Sequence, residues 1–336
     1  MNRGADLAYH LKPSKAVDRR IFLELLRRYE RWLPLENGAY LSMGGWSMED
    51  HRLLNRVVGI EKLFSFDASQ DVVDRQTFNR PVDECHCKTM TSGQFIKSFD
   101  TILDTLGVTD QAPIIAWLDY TRPSDLGAQL SEFRSLLEKL GPGDVARITL
   151  NANNEAIRAG DLTGLAADDV RVRRMEAYAE KVGIYAPGDI DPDDFKRSSY
   201  SRLLSRTLEN VVGDALPSRG DMGFLLLSAL EYSDSTSMLT LTGAITAPRT
   251  RSSVLERCSF ENWVFFSPDY RSVHRIQVPT LSLREKQFME RRAVEGTSDI
   301  SDDMGFARLG GLSLTDYFEE YRQYYRFYPN FALIDI

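Results

Sequence analysis

The segment 113-PIIAWLDY-120 is a nearly unbroken apolar run that ends in an aspartate and a tyrosine. Such a run is typical of a strand of a parallel sheet that is buried on both faces. Helical patterns flank it at 93–106 and 124–140, and the second has Ser124 as its predicted N-cap and Gly141 at its end. A buried strand between two helices predicts right-handed βαβ crossovers.

The alternation of strands and helices extends in both directions from this segment. An amphipathic helix is predicted at 16–33, and 223–232 and 237–246 predict an antiparallel hairpin around a polar turn. A short strand is predicted at 263–267. The other predicted elements are strands at 39–43, 62–67, 84–89 and 144–153 and helices at 48–59, 70–79, 168–183 and 198–216. This order predicts an α/β fold with a doubly wound sheet.

Composition restricts the functional class. Of the 336 residues, 43% are hydrophobic and 27% are charged, as in ordinary globular proteins. The formal charge of −8 argues against a general binder of nucleic-acid backbones. No apolar run reaches the roughly 20 residues of a membrane span, and the first residues lack the apolar centre of a secretory signal. Three cysteines do not form a disulfide framework, so we expect a cytoplasmic protein.

The stretch 40-YLSMGGWSMEDHRLLN-55 reads as a strand that runs into two glycines and then into a helix. Glycines allow backbone N–H groups to approach a ligand closely, so Gly44 and Gly45 are candidate cofactor contacts. A tight turn without any ligand would use the same residues. The next strand ends in Asp67, about 20 residues further on, where nucleotide-binding folds place a carboxylate that holds ribose hydroxyls. The alternative for Asp67 is a cap of the following helix.

Asp119 and Tyr120 end the most strongly buried strand, at the edge where open α/β sheets bind ligands. Asp119 is therefore predicted to orient the ligand or to act as a base. The alternative is a carboxylate that only accepts bonds from the following helix. Asn151 is the one other polar candidate that ends an adjacent strand, so no metal site is predicted.

Several motifs resemble class I S-adenosylmethionine-dependent methyltransferases, and in particular bacterial sequences labelled as O-methyltransferases. They are an aspartate after the glycine turn (Asp50), 75-RQTFNRP-81, 117-WLDY-120, 232-YSDSTSMLTLTG-243 and 278-VPTLSLRE-285. The resemblance implies a Rossmann-like sheet of seven strands whose last pair is the hairpin. It also implies S-adenosylmethionine as the cofactor, methyl transfer to an unidentified acceptor, and Asp119 and Tyr120 as catalytic residues. The cofactor-binding residues that it implies are Tyr40, Gly44, Gly45, Asp50, Asp67, Ala68, Thr91 and Asp119.

We expect four parts of the chain. Residues 1–35 form a helical cover, 36–154 the cofactor-binding half, and 155–221 a helical insertion that caps the pocket and selects the acceptor. Residues 222–336 complete the domain. Within this last part, the aromatic residues of 317–331 recur at helical spacing, which predicts a packed segment and a contact with a second chain or another protein.

Other classes of function have weaker support in the sequence. In 85-CHC-87 alternate residues face opposite sides of a strand, which favours structural filling over a zinc site. Hydrolase and NTPase motifs do not occur. A nucleic-acid methyltransferase would carry a signature that 119-DYTRP-123 matches only distantly. The alternative to an enzyme is an inactive methyltransferase-like sensor or assembly subunit, for which the resemblance suggests a bacterial antiphage system.

Overall fold

A computed structural model describes residues 13–216, 220–278, 281–295, 308–309 and 312–328. Its centre is one mixed sheet of eight strands. They are β1 (Ala39–Ser42), β2 (Lys62–Asp67), β3 (His86–Thr89), β4 (Ile114–Asp119), β5 (Val145–Asn151), β6 (Gly223–Ser233), β7 (Ser237–Thr246) and β8 (His274–Ile276). A separate two-stranded ladder joins β9 (Arg308–Leu309) to β10 (Leu312–Ser313).

The strand order of the large sheet is β3-β2-β1-β4-β5-β7-β6-β8. Strands β1 to β5 are mutually parallel, and β7 is antiparallel to both β5 and β6. The predicted α/β fold with a terminal hairpin is therefore confirmed. The predicted count of seven strands is wrong, because β8 adds an eighth strand parallel to β6. With three residues, β8 is too short to show a periodic pattern.

The strand predicted at 263–267 is wrong. The segment folds into successive turns, in which the N–H of Trp263 donates to the carbonyl of Phe260 (2.8 Å) and that of Phe266 to the carbonyl of Trp263 (3.0 Å). Trp263 and Phe265 are buried in an aromatic cluster. Their burial gives the run the composition of a strand without its geometry.

The described helices cover both faces of the sheet. They are α1 (Pro13–Tyr29), α2 (Glu49–Leu53), α3 (Gln70–Asn79), α4 (Ser92–Lys97), α5 (Phe99–Thr105), α6 (Leu126–Leu137), α7 (Ala167–Val182), α8 (Tyr200–Ala215), α9 (Arg251–Cys258), α10 (Leu283–Glu295) and α11 (Leu314–Tyr324). Helices α4, α5, α6 and α8 contribute to the core on one face, and α1 and α9 to the core on the other. None of the described helices is long and apolar enough to span a bilayer.

Four predicted boundaries change in the structure. The helix predicted at 48–59 becomes α2 followed by a π-helical turn that ends at Gly59, whose φ is 83°. The helix predicted at 93–106 breaks at Ser98. Pro123 opens a 3₁₀ turn, so α6 begins after Ser124, which is not its N-cap, and its C-cap is Glu138. The third strand begins at residue 86 rather than 84.

A buried ion pair fixes α1 across the sheet. The Nη2 atom of Arg147 lies 2.6 Å from each carboxylate oxygen of Asp18, and both side chains are almost fully buried. Thr240 donates to Asp18 (2.9 Å), Thr242 accepts from Arg147 (2.8 Å), and the guanidinium lies 4.6 Å from the ring centroid of Trp117. Buried charges are tolerated when they are paired and hydrogen-bonded in this way. The pair ties the helix to β5 and β7.

The predicted insertion at 155–221 contains two different helices. Helix α8 is part of the main core, since Leu203, Leu204 and Leu208 have no exposed surface. Helix α7 is mostly exposed but buries Tyr178, whose ring packs edge-on against Phe195. The boundaries of the four parts stay predictions.

The C-terminal aromatic residues pack inside the chain. Tyr317, Phe318 and Tyr321 are buried in a cluster with Met289 of α10. The segment also contacts α1, because Arg20 donates to the carbonyl of residue 328 at 2.6 Å. Residues 329–331 lie outside the described part. Since the chain itself covers these rings, the contact with a second chain stays a prediction without support from an exposed aromatic band.

Replacing Asp18 by alanine should lower the free energy of unfolding by about 3–5 kcal/mol, because Arg147 would remain buried without its counter-charge. Urea denaturation followed by circular dichroism measures this. The matched control is Glu24→Ala on the same helix, which removes a partly exposed pair with Arg28 and should cost about 1 kcal/mol or less. Equal losses in the two variants would contradict a special role for the buried pair.

Candidate active site

A cavity of about 400 Å³ opens at the carboxyl ends of the parallel strands. Its size is within the usual range for small-molecule sites, about 300–1,000 Å³. It is lined by Met43, Gly44, Gly45, Trp46, Asp67, Ala68, Val72, Met90, Thr91, Ser92, Asp119, Tyr120, Thr121, Arg122, Asp125, Ala128, Gln129 and Glu132. The cavity thus brings together all the predicted site residues except Tyr40 and Asp50. No described residue of 155–221 borders it.

The glycine turn follows β1 and packs tightly against its surroundings. A Cβ atom on Gly44 would lie 2.9 Å from the Cε1 atom of His51 and closer still to the Oγ atom of Ser65. Gly44 is thus required by close packing, whether or not a ligand is bound. The residue opening α2, Met48, is buried in the left-handed conformation (φ 53°), which a residue with a Cβ rarely adopts.

Helix α3 holds the glycine turn from the side. The amide of Gln76 donates to the carbonyl of Gly44, and that of Asn79 donates to the carbonyl of Trp46 at 2.9 Å. The Arg75 guanidinium lies 3.8 Å from the centroid of the Trp46 ring, in cation–π contact. Hydrophobic periodicity in the sequence predicts only a helix here. The 75–81 motif is the one sequence feature that includes the residues in contact with the glycine turn.

Tyr40 and Asp50 lie behind the turn rather than on the cavity wall. The hydroxyls of Tyr40 and Ser42 donate to Asp50 Oδ2 at 2.7 and 3.0 Å, and Asp50 Oδ1 lies 3.5 Å from His51 Nδ1. His51 Nε2 donates to the carbonyl of Phe64 (3.1 Å) when it carries the proton. All four polar side chains are buried. Their position favours support of the turn over the direct cofactor contact that was predicted for Tyr40 and Asp50.

Asp50 and His51 stabilise each other's charged forms. Burial raises the pKa of the Asp50 carboxyl, but His51 more than offsets this and the pKa falls well below its usual value. Burial likewise lowers the pKa of His51, and Asp50 more than offsets it, so that the pKa is raised. Both shifts favour the charged forms of Asp50 and His51, whose Oδ1 and Nδ1 atoms lie 3.5 Å apart behind the turn.

Asp67 ends β2 on the cavity wall and is half-buried. Its Oδ1 atom accepts from the backbone N–H of Ser69 at 2.8 Å, just before α3. Burial raises the pKa of this carboxyl, and the bond from Ser69 only partly opposes the effect. One oxygen thus closes a turn just before α3, whose N-cap is Ser69, while the carboxylate still lines the cavity.

Asp119 ends β4 and pairs with a residue that sequence reasoning missed. The Nζ atom of Lys15, in the first turn of α1, lies 2.6 Å from Asp119 Oδ2. Asp119 Oδ1 is buried and has no hydrogen-bond partner among the described residues. Because 104 positions separate the two residues, no local pattern could have indicated the pair.

Tyr120 donates its hydroxyl to Glu132 Oε2 of α6 at 2.5 Å. Burial, and then the Glu132 carboxylate, raises the pKa of Tyr120 well above its usual value. A phenol held in this way is a hydrogen-bond donor and a poor base. The catalytic role predicted for Tyr120 is therefore not favoured, and Glu132 is a wall residue that the sequence did not indicate.

The wall beyond β3 is formed by the loop that contains Thr91. Thr91 is the N-cap of α4, with a capping box in which its Oγ1 atom accepts from the N–H of Gln94 at 3.2 Å. Cys85, just before β3, is buried, His86 at the start of β3 is exposed, and both cysteines of this stretch are free thiols. No three His, Cys, Asp or Glu side chains in the described ranges are placed to hold a metal ion.

Solved structures with a similar fold are distant in sequence. An O-methyltransferase from Bacillus cereus in complex with SAH is 14% identical over 72% of this chain and 86% of that chain, with a TM-score of 0.39. Trm1 from Pyrococcus horikoshii with S-adenosyl-L-methionine is 10% identical over 72% and 57%, with a TM-score of 0.40. The N-methyltransferase NodS from Bradyrhizobium japonicum WM9 is 10% identical over 68% and 97%, with a TM-score of 0.36. These scores are too low to carry an argument about the acceptor.

Family membership follows from the sequence itself. No curated protein matches the chain significantly. A family model described as "Putative O-methyltransferase" matches residues 7–336, which is nearly the whole chain. The family that the motifs predicted is thereby confirmed, and the chain belongs to the putative O-methyltransferase family.

Proposed function

We propose that the protein transfers a methyl group from S-adenosylmethionine to an oxygen atom of an acceptor at the cavity. The observation that carries this proposal is the convergence of Gly44, Asp67, the 89–93 loop and Asp119 on one cavity. Each follows a different parallel strand, and these strands are neighbours in the order β3-β2-β1-β4. Membership of an O-methyltransferase family supports the same chemistry.

The cofactor lies along the carboxyl edge of the sheet in this proposal. Its ribose hydroxyls donate to Asp67, because a carboxylate accepts strong, charge-assisted bonds from two adjacent hydroxyls. The adenine lies toward Thr91 and Ser92. The methionine part lies between the glycine turn and Asp119, whose unpartnered Oδ1 atom accepts a bond from it or from the acceptor.

Methyl transfer requires alignment more than covalent help from the protein. The acceptor oxygen attacks the methyl carbon as the bond from that carbon to sulfur breaks, and S-adenosylhomocysteine leaves with a neutral thioether. Holding the two reactants in line lowers the barrier by removing their freedom of orientation. Asp119 is the lining side chain proposed to orient the acceptor or receive its proton, since Tyr120 is bound to Glu132.

Calorimetric titration with S-adenosylmethionine and S-adenosylhomocysteine gives the first test. Failure of the intact protein to bind either compound would overturn the proposal. Where binding occurs, incubation with labelled cofactor and a cell extract should give a methylated product whose methyl group is released by ester or ether cleavage. Binding without a product would favour the alternative of a sensor or assembly subunit. An antiphage role for such a subunit rests on the resemblance of the sequence alone.

Replacing Asp67 by alanine should weaken S-adenosylhomocysteine binding by roughly 1.5–3 kcal/mol, because hydrogen bonds from the ribose to a charged acceptor are lost. Calorimetry measures the change. Asp71→Ala is the matched control, since it removes an exposed carboxylate from the first turn of α3, outside the cavity. Unchanged affinity in Asp67→Ala would show that the ribose does not bind to Asp67.

Replacing Gly44 by alanine should shift the turn, because the added Cβ meets His51 and Ser65. We expect a loss of about 1–3 kcal/mol in stability from overpacking, and at least about tenfold weaker cofactor binding. Gly188→Ala is the control, since a Cβ there meets nothing within 4 Å. A Gly44→Ala protein with wild-type affinity would show that the cofactor does not depend on this turn.

A further inference from the structure

The carboxylate of Asp119 reaches the cavity with its charge compensated from behind. Lys15 Nζ lies 2.6 Å from Asp119 Oδ2, and the two side chains are only 6% and 13% exposed. Lys15 does not line the cavity, whereas Asp119 does. The unpartnered oxygen of Asp119 is Oδ1. A ligand in the cavity therefore meets an aspartate whose charge is balanced by an adjacent ammonium group.

Backbone bonds fix the lysine in this position. The two carboxylate oxygens of Asp234, in the turn between β6 and β7, accept from the N–H groups of Ser14 (2.9 Å) and Lys15 (3.0 Å). The Ser14 hydroxyl donates to the carbonyl of Ser233 at 3.1 Å. Asp234 thereby caps the start of α1, where a negative charge is favourable. The hairpin turn and the first helix together determine where the ammonium lies.

Other ionisable groups lie near the Lys15–Asp119 pair, among them the buried Arg19 and the cavity-lining Arg122. Asp18 is matched by Arg147 in the core. Tyr232 is buried beside both aspartates, and burial together with Asp119 and Asp18 raises its pKa, so its hydroxyl stays neutral. Of Asp18 and Asp119, it is Asp119 that borders the cavity.

We propose that Lys15 is a charge-balancing residue of the cofactor site and sets the relative affinity for S-adenosylmethionine and its demethylated product. The inference rests on the proposed function. The two compounds differ by one methyl group and one positive charge, because the sulfonium of the donor becomes a neutral thioether. The methionine part lies between the ends of β1 and β4, which are paired neighbours, so the sulfonium is close to Asp119.

Charge balance at this position affects both binding and rate. An uncompensated carboxylate would attract the positively charged sulfonium of the donor. It would have almost no electrostatic effect on the neutral thioether of the product. It would also stabilise the bound donor more than the transition state, in which the sulfonium charge is being lost, and would therefore slow transfer. Lys15 offsets this attraction while leaving Asp119 Oδ1 as a hydrogen-bond acceptor.

The test is the ratio of the two dissociation constants, measured by calorimetry on the full chain. A change in fold weakens both ligands and cancels in the ratio, so a purely structural role leaves it unchanged. Lys15→Met should shift the ratio toward S-adenosylmethionine by about five- to thirty-fold, as expected for one unit charge within about 8 Å at intermediate dielectric. Asp119→Asn, which removes the negative charge of the pair, should shift it the other way.

Three further variants complete the test. The double variant K15M/D119N restores a neutral pair and should return the ratio to the wild-type value, and Lys15→Arg should keep that value. Arg20→Met on the same helix, which removes a bond to the carbonyl of residue 328, is the control that leaves the ratio unchanged. If Lys15→Met does not fold, the effect of residue 15 on the ratio can still be measured by comparing Asp119→Asn with the double variant, since these two proteins differ only at residue 15.

The outcomes separate this inference from the proposed function. A wild-type protein that binds neither compound overturns the proposed function. A wild-type protein that binds both, with the same ratio in every variant, overturns only the role of Lys15. Shifts in the same direction for Lys15→Met and Asp119→Asn also overturn it, because opposite charges must act in opposite directions.

Discussion

The salt bridge between Asp18 and Arg147 is the interaction on which the arrangement of the site depends. Each charge would be very costly to bury alone, so the helix that carries Asp18 has one favourable position over the strand that carries Arg147. Thr240 and Thr242 of β7 complete the bonds and extend the constraint to the hairpin. One turn away on the same helix, this position brings Lys15 to the end of β4. Helix α1 thus places an ammonium group against Asp119, which lines the cavity.

The motifs of the sequence are explained mostly by support of the site. Gln76 and Asn79 hold the carbonyls of the glycine turn, and Asp234 caps the first helix. Asp50 accepts bonds behind the turn. These residues do not line the cavity. The backbone around a ligand must be held firmly to keep its geometry, and side chains that bond to carbonyls and helix ends provide this.

Local patterns predicted the parts of the fold that depend on local physics. The run 113–120 predicted β4 because a strand covered on both faces has to be apolar along its whole length. Asp67 and Asp119 were found because parallel strands end at one edge, which fixes where their last side chains lie. The strand predicted at residues 263–267 was wrong, because burial of aromatic side chains in a turn gives the same apolar composition as a buried strand.

Pairings between distant positions could not be predicted in this way. Lys15 and Asp119 are 104 positions apart, and neither residue type indicates the other. Glu132 lies on a helix whose pattern shows only which face is buried, so its bond to Tyr120 depends on the exact rotation of α6. Tyr40 was assigned to the cofactor through the resemblance, although its hydroxyl points to Asp50 in the core. Side-chain direction at this level is set by tertiary packing.

The carboxylates of the cavity wall share one arrangement. Asp67 gives one oxygen to the N–H of Ser69, Asp119 gives one to Lys15, and Glu132 gives one to Tyr120. In each case a hydrogen-bond donor of the protein fixes the orientation of the carboxylate and partly neutralises its charge. A cofactor with a sulfonium, an ammonium and ribose hydroxyls needs acceptors along its length. Acceptors with their full charge would hold the sulfonium form so firmly that the barrier to transfer would rise. Carboxylates with one oxygen bonded to the protein satisfy both requirements, because they accept hydrogen bonds in fixed directions and exert a weaker electrostatic field.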